Sequence, residues 1–150
     1  MIKLGRPVPE DVESRLPRLV DALAGDDRLD AIWLFGSRAR GEADRLSDVD
    51  IAVLARTDVT GPALVDGEME WTGRAVAALG TDEVVVQAVN RLPVAVCHAI
   101  LRDARLLWAR VPERAADFAA HTLKVYFDLK PHLDRYDREL LRQAATGRLR

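Results

Sequence analysis

Apolar residues along the chain follow two rhythms, one with helical spacing and one with strand spacing. After Pro9, EDVESRLPRLVDALAG places Val12, Leu16, Leu19, Val20 and Leu23 on one helical face, with acids in the first turn and Gly25 as a stop. Pro17 lies inside that run and predicts a kink or a break. LDAIWLFG is a short apolar strand ending in glycine, and DVDIAVLA, from about Asp48 to Ala55, is a second. GPALVDGEMEWTGRAVAALG reads as a helix weakened by Gly67 and Gly73. DEVVVQAVN is a third strand, the most β-branched of the chain. Pro93 opens the helix PVAVCHAILRDA, and RLLWAR is a short strand before Pro112. From Pro112 to about Ala145 the pattern is helical, and Pro131 predicts a bend or a split. The order α, β, β, α, β, α, β, α implies an α/β (α+β) fold: a small mixed β-sheet with helices packed on it and a long C-terminal helical tail.

Composition narrows this picture without changing it. The chain has 150 residues, 49% hydrophobic and 31% charged, which fits one domain over 1–150, with a core at about 26–111 and a helical segment at about 112–145. A net charge of -2 argues against a nucleic-acid binder built on excess positive charge, so no direct nucleic-acid partner is expected. No run reaches the length of a membrane-spanning helix, and MIKLGRPVPED lacks the apolar stretch of a signal peptide. The expectation is a cytoplasmic protein with no membrane partner. Cys97 is alone, which leaves no intramolecular disulfide, and its helical setting marks it as a small core residue. His98, His121 and His132 lack ligand spacing and read as structural or exposed. Trp33, Trp71 and Trp108 read as core, and the final TGRLR as a frayed end.

The candidate chemistry sits in GSRARGEADRLSDVDIAVL, Gly36 to Leu54. Asp48 and Asp50 are two apart on a strand, so both point to one face. Two like charges side by side repel unless a cation lies between them. A divalent metal answers this, and Mg²⁺ takes one or two carboxylates while sharing the rest of its shell with water and substrate phosphates. Upstream, a Gly-Ser turn into a helix offers backbone N–H groups and a hydroxyl, which suit an anion. Arg38 and Arg40 add positive charge beside it, as phosphate partners or as solvated surface charges. Glu42 and Asp44 read as turn or surface residues.

The Gly-Ser…Asp-x-Asp pattern and its spacing resemble the DNA polymerase beta-like nucleotidyltransferase superfamily. The likeness is nearest to its smallest members, the minimal nucleotidyltransferases. A weaker likeness extends over DEVVVQAVN, NRLPVAVCHAILRDARLLWAR and the helical tail with YFDLKPHLDRY. That arrangement looks like the antitoxin half of a toxin–antitoxin module whose other half is a HEPN ribonuclease. The resemblance implies an antitoxin that transfers AMP from ATP to a tyrosine hydroxyl of its HEPN toxin in a hetero-oligomer. It implies that Gly36 and Ser37 bind nucleotide, with Arg38 and Arg40 as the further candidates beside them, and that Asp48 and Asp50 hold one or two Mg²⁺ ions.

One position departs from the pattern. The superfamily's third carboxylate, which helps activate the attacking hydroxyl, falls near Val85. Glu83, Val85 and Gln87 share that strand face, and of these only Glu83 is acidic. Glu83 is the substitute candidate. Two other functions stay open: an antitoxin that neutralises by binding alone, and a transferase acting on a small hydroxylated molecule.

Overall fold

The computed structural model describes residues 7–147. The opening MIKLGR and the last three residues of TGRLR lie outside them. In chain order the elements are α1 (Val12–Ala24), β1 (Leu29–Phe35), β2 (Val49–Ala55), α2 (Pro62–Leu79), β3 (Val84–Ala88), a 3-10 turn (Val89–Arg91), α3 (Val94–Arg102), β4 (Arg105–Ala109) and α4 (Pro112–Ala145). The four strands form one mixed sheet in the order β3-β2-β1-β4. β1 runs antiparallel to β2 and β4, and β2 runs parallel to β3, so α2 is the crossover that parallel pairing requires.

Strand alternation sorts the core into two layers. Ile32, Leu34, Val49, Ile51, Val53, Val84 and Val86 pack against Leu16, Leu19 and Leu23 of α1 and Leu64, Trp71 and Leu79 of α2. On the opposite face Ala31, Trp33, Ala52 and Leu54 pack against Cys97 and Ile100 of α3 and Ala115 of α4. Of the three tryptophans, Trp33 and Trp71 are buried and Trp108 is half-buried.

Of the kink or break expected at Pro17 and the bend or split expected at Pro131, the break and the split are corrected: α1 runs unbroken through Pro17 and α4 through Pro131. Both prolines are exposed, so the carbonyl each one leaves without an intrahelical donor faces water. The third strand is shorter than its β-branched run. Asp82 and Glu83 precede it, and Val89-Asn90 turns away in the 3-10 turn. Asn90 then continues the ladder with its side chain: its Oδ1 accepts from the Ala55 N–H and its Nδ2 donates to the Ala55 carbonyl, both at 2.8 Å. β3 is an edge strand, and α2 closes that edge. The Thr72 hydroxyl accepts from the Val86 N–H at 3.3 Å and the Glu68 carboxylate from the Ala88 N–H at 2.8 Å.

The glycine that weakened the α2 pattern has a packing reason. The Trp71 ring lies against Gly67, and a Cβ there would stand 2.7 Å from it. The ring cannot yield, because it is fully buried and its indole N–H donates to Asp26 at 2.9 Å. Asp26 also accepts from Arg28 and Arg74. The Arg28 hydrogen bonds, above all, hold its carboxyl well below the usual carboxylate range against the opposing effect of burial. That contribution to stability is in place above the ordinary Asp pKa of 3.8 and fades as the pH falls further. We predict that Gly67→Ala, which helix propensity alone favours, destabilises the protein by about 1–3 kcal/mol in urea unfolding, because overpacking outweighs the propensity gain.

Candidate active site

β2 carries two kinds of side chain on one face. Asp48, Asp50, Ala52 and Leu54 alternate onto the α3–α4 side of the sheet. Ala52 and Leu54 lie in that core layer, whereas Asp48 and Asp50 are only half-buried. The helices cover the far end of the face and leave the end where β1 stops and β2 and β3 begin. A strand in the interior can therefore begin with two carboxylates.

The end of β1 delivers the Gly-Ser turn to the same place. Phe35 pairs with Asp50, and Gly36 follows with φ +74°, a conformation that favours glycine. The Asp50 carboxylate occupies the space that a Cβ on Gly36 would fill. Gly36 is thus required twice, by its backbone and by its neighbour. Ser37 begins a single turn rather than the expected helix: the Ala39 and Arg40 N–H groups donate to the Gly36 carbonyl and Glu42 N–H to the Ser37 carbonyl.

The loop from residue 36 to 47 is braced from within. Arg38 donates through Nη2 to the carbonyls of Ser47 at 2.7 Å and Asp44 at 3.2 Å, and through Nε to Ser47. Arg40 pairs with Glu42 at 3.0 Å. Asp44 organises the return turn, accepting from the Leu46 N–H and the Ser47 hydroxyl, and these bonds lower its pKa. Ser47, absent from the sequence reading, is the hub of this turn. The Asp-x-x-Ser spacing that creates it is the signal that could have found it. The segment before α1 also joins the loop, through the Val8 N–H and the Arg45 carbonyl at 2.8 Å.

β3 brings the remaining candidates alongside. Val85 is in register with Asp50 and shares its face, with 44% of its surface exposed. The Val49 N–H donates to the Glu83 carbonyl at 2.9 Å, which sets Glu83 beside Asp48 as the ladder begins. Beyond Val85 a groove of about 610 Å³ follows the outer edge of β3, lined by Val65, Met69, Val76 and Gln87. Among the described residues no three His, Cys, Asp or Glu side chains gather into a ligand cluster. The donor set offered by the strand is a pair of hard carboxylates at an open sheet end, which suits Mg²⁺ sharing its shell with water and phosphate. His98 instead stacks on Tyr126, ring to ring at 3.7 Å.

The chain that carries this sheet end has counterparts among known proteins. The chain belongs to the polymerase beta nucleotidyltransferase family, whose model matches residues 18–113. The protein adenylyltransferase MntA of Shewanella oneidensis is 30% identical over 103 residues, covering 69% of this chain and 70% of that protein. A crystal structure of a toxin–antitoxin with AMP-PNP is 25% identical and superposes with a TM-score of 0.68 over 86% of this chain and 98% of the other. A tri-AMPylated Shewanella oneidensis HEPN toxin in complex with MNT antitoxin shares the fold, at 21% identity and TM-score 0.68 over 87% and 98% of the two chains. The expected nucleotidyltransferase fold with a long C-terminal helix is thereby established. No helix among the described residues is long and apolar enough to cross a membrane.

Gly36→Ala is expected to push the Asp50 carboxylate aside and to cost about 1–2 kcal/mol from the left-handed backbone alone. Thermal unfolding checks the cost. Near-unchanged far-ultraviolet circular dichroism separates a local displacement from loss of the sheet.

Proposed function

We propose that this chain is an antitoxin nucleotidyltransferase of the cytoplasm. It transfers AMP from ATP to a tyrosine hydroxyl of a cognate HEPN ribonuclease, and so silences it. One observation carries the reading: Asp48 and Asp50 project from one strand face at an open sheet end, with Asp50 seated on Gly36 of the Gly-Ser turn. The relatives' own descriptions, an adenylyltransferase and antitoxins in complex with a HEPN toxin, support the acceptor and the partner.

In this mechanism Gly36 and Ser37 receive the triphosphate through backbone N–H groups and the Ser37 hydroxyl. Asp48 and Asp50 would hold one or two Mg²⁺ ions, which would supply neutralisation of the phosphate charge. Arg38 contributes charge from a fixed position, since its guanidinium is tied to the loop carbonyls. Arg40 adds charge at the exposed rim, where it pairs with Glu42. The acceptor approaches over Val85, whose short apolar side chain leaves room beside Asp50. The tyrosine oxygen attacks the α-phosphorus in line, an O–P bond forms, and the bond to the β-phosphate oxygen breaks to release pyrophosphate. Glu83 takes the tyrosine proton as general base. Positioning and charge neutralisation supply most of the acceleration.

Incubation with labelled ATP, Mg²⁺ and the cognate HEPN protein is expected to label that protein in steps of one AMP. Asp48→Asn and Asp50→Asn are each expected to abolish labelling in a folded protein, as is removal of Mg²⁺ by chelation. Glu83→Gln is expected to lower kcat by about 100-fold or more, the usual contribution of a general base. An unlabelled partner held in a stable complex would instead establish neutralisation by binding alone.

A further inference from the structure

α4 carries an apolar row that the fold uses only in part. Ala115, Ala119, Thr122 and Tyr126 are spaced alternately four and three residues apart, and the same spacing continues through Leu129, Leu133, Tyr136 and Leu140. The first half of the row is covered: Ala115 and Thr122 are buried, and Tyr126 stacks on His98 of α3. The second half leaves the body of the protein. Leu129, Leu133 and Tyr136 are 39%, 37% and 64% exposed along the last turns of a 34-residue helix. Pro131 sits away from the row, on the outer face of the helix.

We propose that this uncovered half-row pairs with its counterpart on a second copy of the chain, as a two-fold antiparallel helix pair. The charges bordering the row support that occupant. When Leu129 lies opposite the second copy's Leu140, and Leu133 opposite its Tyr136, four core layers form about one axis. Lys130 then faces the second copy's Asp137, and His132 faces its Glu139. Each pair occurs twice by symmetry, with no like charges opposed. Within one chain Lys130 meets Asp134 and Glu139 meets Arg142, both on the exposed surface and free to be shared. A parallel pair is excluded by the fold, because α3 covers the same row upstream and the two α3 helices would collide. Four layers bury less than the roughly 1,200 Å² of a standard interface, so the dimer is weak and concentration-dependent. This inference is independent of the reaction.

Sedimentation of the full chain from the micromolar to the millimolar range tests it. A reversible monomer–dimer equilibrium is expected, abolished by Leu133→Asp with the helical circular dichroism retained. Lys130→Glu is expected to weaken the dimer roughly three- to tenfold by placing like charges together twice. Adding Asp137→Lys to that variant is expected to restore it. A chain that stays monomeric throughout overturns the proposal, as does a dimer that ignores Leu133→Asp or fails to recover in the charge-swapped double variant. A monomeric chain in which Leu133→Asp instead abolishes binding of the HEPN ribonuclease also overturns it, and assigns the row to that partner.

Discussion

The seating of the Asp50 carboxylate in the space that a Cβ on Gly36 would fill is the constraint on which the site depends. It joins the end of β1 to the start of β2 at the one sheet end that the α3–α4 layer leaves open. Any side chain at position 36 would enter the space of the carboxylate, and the left-handed backbone there already favours glycine. Beyond Asp50 the same strand face drops into the core at Ala52 and Leu54, and before it Asp48 is half-buried like Asp50. On the proposed reading, the repulsion between the two carboxylates at this end of β2 is relieved by a cation held between strand and substrate.

Around that contact the protein invests in rigidity. Arg38, Asp44 and Ser47 lock the loop that separates the Gly-Ser turn from the acidic strand, so the two halves of the site are held by hydrogen bonds. The crossover helix α2 fixes β3 in parallel register through Thr72 and Glu68, and this sets Val85 and Glu83 beside the two aspartates. Pre-positioning of this kind is what in-line phosphoryl transfer requires from a protein, since little covalent work falls to it.

Much of this was legible in the sequence, for identifiable reasons. Strand alternation placed Asp48 and Asp50 on one face, and the parity of the third strand placed Glu83 with Val85, because both depend only on the two-residue period. All four strands and all four helices followed from apolar spacing. What escaped depended on partners distant in the chain. A break at Pro17 and a split at Pro131 were among the expectations because local sequence does not say which side of a helix meets water. Gly67 weakened the reading of α2 until the Trp71 ring beside it was visible. Arg38 was read as a phosphate partner or a solvated charge, and its hydrogen bonds to carbonyls six and nine residues ahead were not foreseen. The segment after Gly36 read as a helix and is one turn, since its return to β2 is set by Ser47 and Asp44.

The central claim is that the cleft binds a nucleoside triphosphate through a metal held by the aspartate pair. Calorimetric titration with a non-hydrolysable ATP analogue tests it most directly, since it needs neither partner nor turnover. The account predicts saturable one-to-one binding that requires Mg²⁺ and is lost in Asp50→Asn while the melting curve shows an intact fold. Binding of equal affinity without Mg²⁺, or undiminished in that variant, would contradict it.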